Sequence, residues 1–271
     1  MLNQPATFAK GLYYAGWLQA RGVRIERGVT LLAIDGDDAV RGIRWRTRRG
    51  ASHTLDCNAV GLGFGLRPET QLADLAGCRF RFDPLNRCWL PERDAAGRGS
   101  VRNVYLAGDG ASADAAELAG RRAALALLED IGITSNQREA RKLEHELDRI
   151  AAFRAGIEHA FAPPVNTAQD WPDDLVVCRC EEVAAGTMRA CIRSGLATEV
   201  NRLKALTRIG MGRCQGRMCG EAAIALLAAE TGKPLADVGR LHSQAPIKPI
   251  PITPMLYDDG VQVQPEEAHD E

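Results

Sequence analysis

At 271 residues, 45% hydrophobic and 25% charged, the chain has an ordinary globular composition and the length for one large domain or two unequal ones. Thirty-four basic residues against thirty-five acidic leave a net charge of −1, which gives no electrostatic reason to expect nucleic acid as a partner. The N-terminus lacks an uninterrupted apolar core, and the apolar run at 123–128 is too short to span a bilayer. The expected location is therefore the cytoplasm, with membrane contact only through a partner.

Helical spacing over residues 6–21 puts Phe8, Leu12, Ala15 and Leu18 on one face. Val23–Ile25 and Val29–Ile34 read as short strands. The turn-forming Asp35-Gly36-Asp37-Asp38 separates them from a third at Val40–Thr47. A Gly-rich strand end is expected at Ala59–Phe64, a short helix at Glu69–Ala76, and a strand pair at Cys78–Phe82 and Cys88–Leu90. Val101–Ala107 reads as a strand running into Gly108-Asp109-Gly110, with a long helix from Asp114 to Asp130. This order predicts an open α/β sheet with an antiparallel excursion. Residues 137–161 have the pattern of an amphipathic helix, and Pro163, Pro164 and Pro172 mark a boundary after it. Short helices are expected at Thr187–Ser194, Glu199–Leu206 and Gly220–Thr231, then an extended Pro-rich, acidic tail from Ser243.

Eight cysteines in a chain of this kind point to metal ligands, buried residues or reactive thiols rather than a disulfide framework. Three are scattered (Cys57, Cys78, Cys88), whereas Cys178, Cys180, Cys191, Cys214 and Cys219 fall within 42 residues. Cys178-Arg-Cys180, 33 residues, then Cys214-Gln-Gly-Arg-Met-Cys219 supplies two close pairs of soft thiolates. Four such ligands suit a [2Fe–2S] cluster, and a structural zinc site is the competing use of the same set. The Cys-x-Cys spacing fits common zinc knuckles less well. Gly210, Gly212, Gly216 and Gly220 let the backbone curl and aim N–H groups at sulfur. Arg179, Arg213 and Arg217 are placed to offset thiolate charge, with Glu181 and Glu182 opposing them. Cys191, on a helical face, reads as a core residue.

VVCRCEEVAAGTMRACIRSG and LKALTRIGMGRCQGRMCG resemble the bacterioferritin-associated-ferredoxin-type [2Fe–2S] domain, over about 60 residues. The CQGRMC form resembles the version fused to flavoprotein subunits of opine oxidase, hydrogen cyanide synthase and D-hydroxyproline or dye-linked proline dehydrogenases. Arg213 stands where that family commonly has proline, a change that alters loop stiffness but removes no ligand.

Val104-Tyr-Leu-Ala-Gly-Asp-Gly110 is a strand, a Gly-Asp-Gly turn and a helix start. Alone it could be a joint with a capping Asp. It also resembles the C-terminal FAD motif of two-dinucleotide-fold flavoproteins, which implies Gly108, Asp109 and Gly110 as FAD contacts, Asp109 on the ribityl chain. CNAVGLGFGLRPE and the preceding LYYAGWLQARGVRIERGVTLLAIDGDDAVRGIRW resemble the same proteins' middle domain. The resemblance runs over nearly the whole chain, to the APIKPIPI end. The Gly-x-Gly-x-x-Gly that binds the ADP part of FAD is not in the sequence; Gly61-Leu-Gly-Phe-Gly-Leu66 lacks its third glycine. The chain thus looks like the C-terminal half of such a flavoprotein: a separately encoded half, a truncated gene or a mis-called start.

The expected architecture is α/β, a partial Rossmann-like flavoprotein domain (1–135), a linker helix and Pro-rich connector (136–172), a small all-helical [2Fe–2S] domain (173–242) and a tail (243–271). His53, His145, His159, His242 and His269 are dispersed, and no catalytic constellation is assigned. The resemblance implies an electron-transfer subunit or fragment of a heteromeric flavin-dependent amino-acid or opine dehydrogenase. Its implied partners are a small ferredoxin-like subunit and a flavin-containing subunit that oxidises substrate. A non-enzymatic iron–sulfur or zinc module, or a degenerate remnant, is the alternative.

Overall fold

Pro5 and the left-handed Gly22 (φ +80°) delimit the first helix, α1 (Pro5–Ala20): a proline ring presets φ at a helix start, and glycine turns the chain out of its end. The computed structural model describes residues 4–63, 67–108, 113–161 and 167–251. After α1 come β1 (Thr30–Asp35), β2 (Gly42–Arg46), β3 (Ser52–Asp56), α2 (Gln71–Leu75), β4 (Phe80–Asp83) and β5 (Cys88–Pro91). Helices α3 (Ala113–Asp130) and α4 (Gln137–Ala160) follow, then a 3-10 turn at Thr167–Asp170. The chain continues with β6 (Val176–Cys178), β7 (Val183–Ala184), α5 (Ala185–Arg193), α6 (Val200–Thr207) and α7 (Gly220–Thr231). No helix among the described residues is long and apolar enough to cross a membrane.

Compactness divides the chain into two units. One is Met1–Pro68, Gly108–Leu128 and Gly132–Pro163; the other is Glu69–Ala107, Glu129–Ile131 and Pro164–Glu271. In the first, β1, β2 and β3 form an antiparallel sheet in that order, with a register shift between Leu31 and Ala33. Across it Ile43 faces Leu55, and Trp45 stacks on His53 at 5.6 Å between centroids. Arg121 and Arg122 of α3 pair with Glu139 (2.5 Å) and Glu144 (2.7 Å) of α4, whose N-cap is the Asn136 side chain accepting from Glu139 N–H.

The strand order differs from the expected sheet. All the paired strands among the described residues are antiparallel, and β3 had no distinct signature in the sequence. Val23–Ile25 pairs with nothing regular and is not a strand, nor are the described residues 59–63. Val101–Ala107 is cut short because Asn103 adopts φ +64° and a turn closes from Val101 to Val104. Only Val104–Leu106 remains extended, held to Gly97 and Gly99 by backbone bonds of 2.7 and 2.8 Å. The helices and the β4–β5 pair fall where the sequence puts them.

In the second unit a buried core gathers around α5, α6 and α7, with Met188, Val200, Leu203, Ile209, Leu226 and Leu227 shut off from water. Buried Arg189 is the polar peg of this core. It donates to Asp173, to Glu230 (2.9 Å) and to the Ala168 and Gln169 carbonyls, so its donors are matched rather than orphaned.

Helix α2 packs in the same unit and makes a clamp. Asp74 accepts from Arg240 and from the Ser243 amide, both at 2.6 Å, and Arg240 also lies over the Phe80 ring at 3.9 Å. Burial pushes the Asp74 carboxyl up, but the Arg240 and Ser243 donors outweigh it and bring the pKa from 3.8 to about 2. A depressed folded-state pKa gives stability that is present above pH 3.8 and lost as pH falls towards 2. Metal-free wild type should therefore melt above Asp74→Asn at pH 5, with the gap closing between pH 4 and about 2. Thermal unfolding at three pH values reads this; a gap independent of pH would contradict the clamp.

Candidate metal centre

The first cysteine pair sits on a hairpin. Cys178 ends β6 opposite Val183 of β7, and residues 179–182 make the turn, closed by Glu182 at φ +53°. A one-residue gap across such a turn leaves Cys178 buried, at 1% exposure, and Cys180 at the surface. This ribbon is a small departure from an all-helical module, with Val176, Val177 and Val183 as its β-prone residues.

The second pair sits between α6 and α7. Helix α6 ends at Arg208 in the left-handed conformation, Ile209 plugs the core, and Gly210 turns the chain at φ +79°. Turns then carry Cys214 to a half-buried position and Cys219, also 1% exposed, to the N-cap of α7. Gln215 (φ +50°) braces the loop, donating through its side chain to the Met211 and Gly212 carbonyls at 3.1 and 3.0 Å.

The four thiols meet in two pairs. Cys180 lies against Cys214 at the outer edge, and Cys219 lies against Cys178 inside. Among the described residues no three His, Cys, Asp or Glu side chains gather round one point as a single metal ion would need. Backbone N–H groups of Met218, Gly216 and Arg217 donate to Cys214, and that of Gly210 donates to Cys219. Burial pushes the Cys214 thiol up, but those amides and Cys180 outweigh it and leave it below its ordinary range. Cys219 goes the other way: burial first, then the neighbouring Cys178 and Cys214, push it up to about 12. Two close thiol pairs supplied with amide N–H groups are a donor set of the kind a [2Fe–2S] cluster takes, two thiolates to each iron.

The arginines are arranged differently from the sequence expectation. Arg217 pairs with Glu69 and donates to the carbonyls of Cys214 (3.2 Å) and Ile247 (2.7 Å), so it staples the loop. Arg208 pairs with Glu181 at 2.7 Å, tying the second loop to the hairpin. Arg179 and Arg213 are exposed. Cys191, on α5, packs against the core and takes no part in the pairs. Sequence reasoning also missed Gln71, which donates to the Gln215 carbonyl at 2.6 Å. A contact 144 residues along the chain leaves no local signal.

Residues 176–229 match the BFD-like [2Fe–2S] binding domain family. All four paired cysteines lie within this BFD-like segment. Over most of its length the chain is similar to the A component of Rhizobium meliloti opine oxidase, 35% identical over 82% of this chain and 43% of the relative. It is also similar to hydrogen cyanide synthase subunit HcnB of Pseudomonas aeruginosa, 31% identical over 93% of this chain and 56% of the relative. The chain spans about half the length of the curated relatives it matches. A crystal structure of L-proline dehydrogenase from P. horikoshii superposes with a TM-score of 0.67, covering 89% of this chain and 47% of that one, at 22% identity. That likeness concerns the fold. Relatives named as opine oxidase and hydrogen cyanide synthase subunits on one side and a BFD-like domain on the other uphold the resemblance read from the motifs.

Of the expected FAD contacts, Gly108 is described, at φ +102° with open space where a Cβ would be; Asp109 and Gly110 lie outside the described residues. Arg93 donates to the Leu106 carbonyl at 3.1 Å just ahead of them.

Gly212 decides whether the two cysteine loops can approach. A Cβ there would overlap the Cys180 Cβ, where neither backbone-bound atom can move aside cheaply. Gly212→Ala should keep the helical circular dichroism of the module yet hold less than about a tenth of the iron and acid-labile sulfide of wild type. Full iron content in that variant would show that the loops need not meet here.

Proposed function

We propose that this chain is the electron-transfer subunit, or part of one, of a heteromeric flavin-dependent amino-acid or opine dehydrogenase, with Cys178, Cys180, Cys214 and Cys219 as ligands of a [2Fe–2S] cluster. The observation that carries it is the two-and-two pairing of these thiols inside a segment that matches the BFD-like [2Fe–2S] domain. Bound there, such a cluster supplies one-electron transfer. Oxidation of a CH–NH bond to C=N releases two electrons and two protons, so a flavin that takes the pair and a centre that passes single electrons are complementary. The inner pair anchors the site in the core, while exposed Cys180 and Met218, itself 75% exposed, put its outer edge at the surface. Electrons can leave by that edge to a partner.

The relatives' names describe subunits, which supports a flavin-containing, substrate-oxidising partner and leaves room for a small ferredoxin-like one. We assign residues 1–135 to a partial flavoprotein domain, 136–172 to a linker, 173–242 to the cluster domain and 243–271 to a tail. Gly108, Asp109 and Gly110 are the assigned FAD contacts. The reading places the complex in the cytoplasm, at a membrane only through partners.

Anaerobically purified protein tests this directly. Two irons and two acid-labile sulfides per chain, with a rhombic electron paramagnetic resonance signal after reduction, are expected, and Cys178→Ser should lose both. Colourless protein with stoichiometric zinc would overturn the assignment. Flavin released by acid reads the FAD assignment separately.

A further inference from the structure

Behind the second cysteine loop runs a strap, residues 238–243, stapled at nearly every step. The Val238 carbonyl accepts from Val200 N–H at 3.0 Å. Asn201 donates to the Arg240 carbonyl and accepts from His242 N–H, both at 2.9 Å. Buried Lys204 donates to the His242 carbonyl at 2.9 Å, and Asp74 holds Arg240 and Ser243 from the other side. A buried lysine is costly unless it is satisfied, so this anchoring is a specific arrangement rather than incidental packing.

Between these staples sits Leu241. A Cβ added to Gly210, Gly216 or Gly220 would lie 3.2, 3.0 or 3.0 Å from Leu241 Cδ1, tighter than ordinary packing. One methyl group therefore fills the space that three missing side chains leave. These glycines belong to the sulfur site itself. Gly210 N–H donates to Cys219, Gly216 N–H donates to Cys214, and Gly220 begins α7 immediately after Cys219.

We propose that Leu241 is a positioning residue of the metal centre, a wedge held by the Asp74–Lys204 strap that fixes the Gly210, Gly216 and Gly220 backbones and with them the N–H···S bonds to Cys214 and Cys219. The inference rests on the reading of the four cysteines as cluster ligands. Amide bonds to sulfur set both the retention and the potential of an iron–sulfur centre, so a wedge that orients them acts on the metal without touching it. Nothing in the local sequence around Leu241 marks it; the contact exists only because the strap returns over the loop.

The test uses the full chain, reconstituted anaerobically, as wild type, Leu241→Ala and Leu241→Met. Leu241→Ala should give up its iron to a chelator about tenfold faster and shift the midpoint potential and the reduced paramagnetic signal, with Leu241→Met restoring both towards wild type. Unchanged release and potential would overturn the wedge, as would a faster release that merely tracks a lower melting temperature with the potential and signal unmoved. Should Leu241→Ala fail to fold, Asp74→Ala, which loosens the strap from outside the core, must shift the potential; an unmoved potential overturns the proposal. Failure of the parent reading is separate: wild type then takes no [2Fe–2S] cluster at all. In that case amide hydrogen exchange of metal-free protein decides, and protection of Gly210 and Gly216 equal in wild type and Leu241→Ala overturns the wedge.

Discussion

Bringing peptide N–H groups within reach of sulfur requires that backbone, not side chain, line the approach, and the loop from Gly210 to Gly220 is built around that requirement. Gly212 lies so close to Cys180 that a methyl group has nowhere to go, while Gly210 and Gly216 hold left-handed conformations that ordinary residues rarely adopt. Gly210 and Gly216 also supply amides themselves, to Cys219 and Cys214 respectively. Without this close approach the four thiols would belong to two separate turns.

Electrostatics then divides the site. Neighbouring thiolates repel one another, and the two that are shifted go opposite ways: Cys214 is lowered by three amides and a thiol, while Cys219 is pushed up to about 12 by burial beside its neighbours. A metal centre held there would require Cys219 to lose its proton, which would couple affinity to pH through that buried sulfur. Guanidinium groups contribute less than their proximity in sequence implies. Arg217 and Arg208 are committed to Glu69 and Glu181, so fixed peptide dipoles are the compensation that faces sulfur.

The cysteine module was legible because its information is local. Spacing gave the thiol pairs, glycines gave the loop, and the periodicity of residues 185–231 gave three helices close to their observed ends. The hairpin that carries Cys178 and Cys180 was not read, since three residues of strand are below what a period-2 pattern can show. What sequence could not show at all is the support. Glu69, Gln71 and Asp74 come from a short helix and its lead-in, well over a hundred residues before the loop and strap they hold, and Leu241 meets glycines that precede it by 21 to 31 positions. Nor does linear order reveal that 69–107 packs in one unit with the cysteine segment.

The segment ahead of Gly108 solves a related problem by charge. A strand is normally fixed by neighbours in a sheet, yet among the described residues Val104–Leu106 has the single bridge to Gly97–Gly99. Ion pairs take over that role. Arg98 reaches Asp130 at 2.8 Å, Glu129 at 3.0 Å and Asp94 at 3.6 Å, and the Tyr105 hydroxyl donates to Asp130 at 2.7 Å. Any one such pair, partly exposed, adds little. A guanidinium shared among three carboxylates, one of which also takes the neighbouring tyrosine, fixes direction as well as distance, because its planar fork admits few geometries. Arg93, donating to the Leu106 carbonyl, then closes the backbone side. The chain thus fixes two segments by opposite means, bare backbone around sulfur and crowded charge along Val104–Leu106.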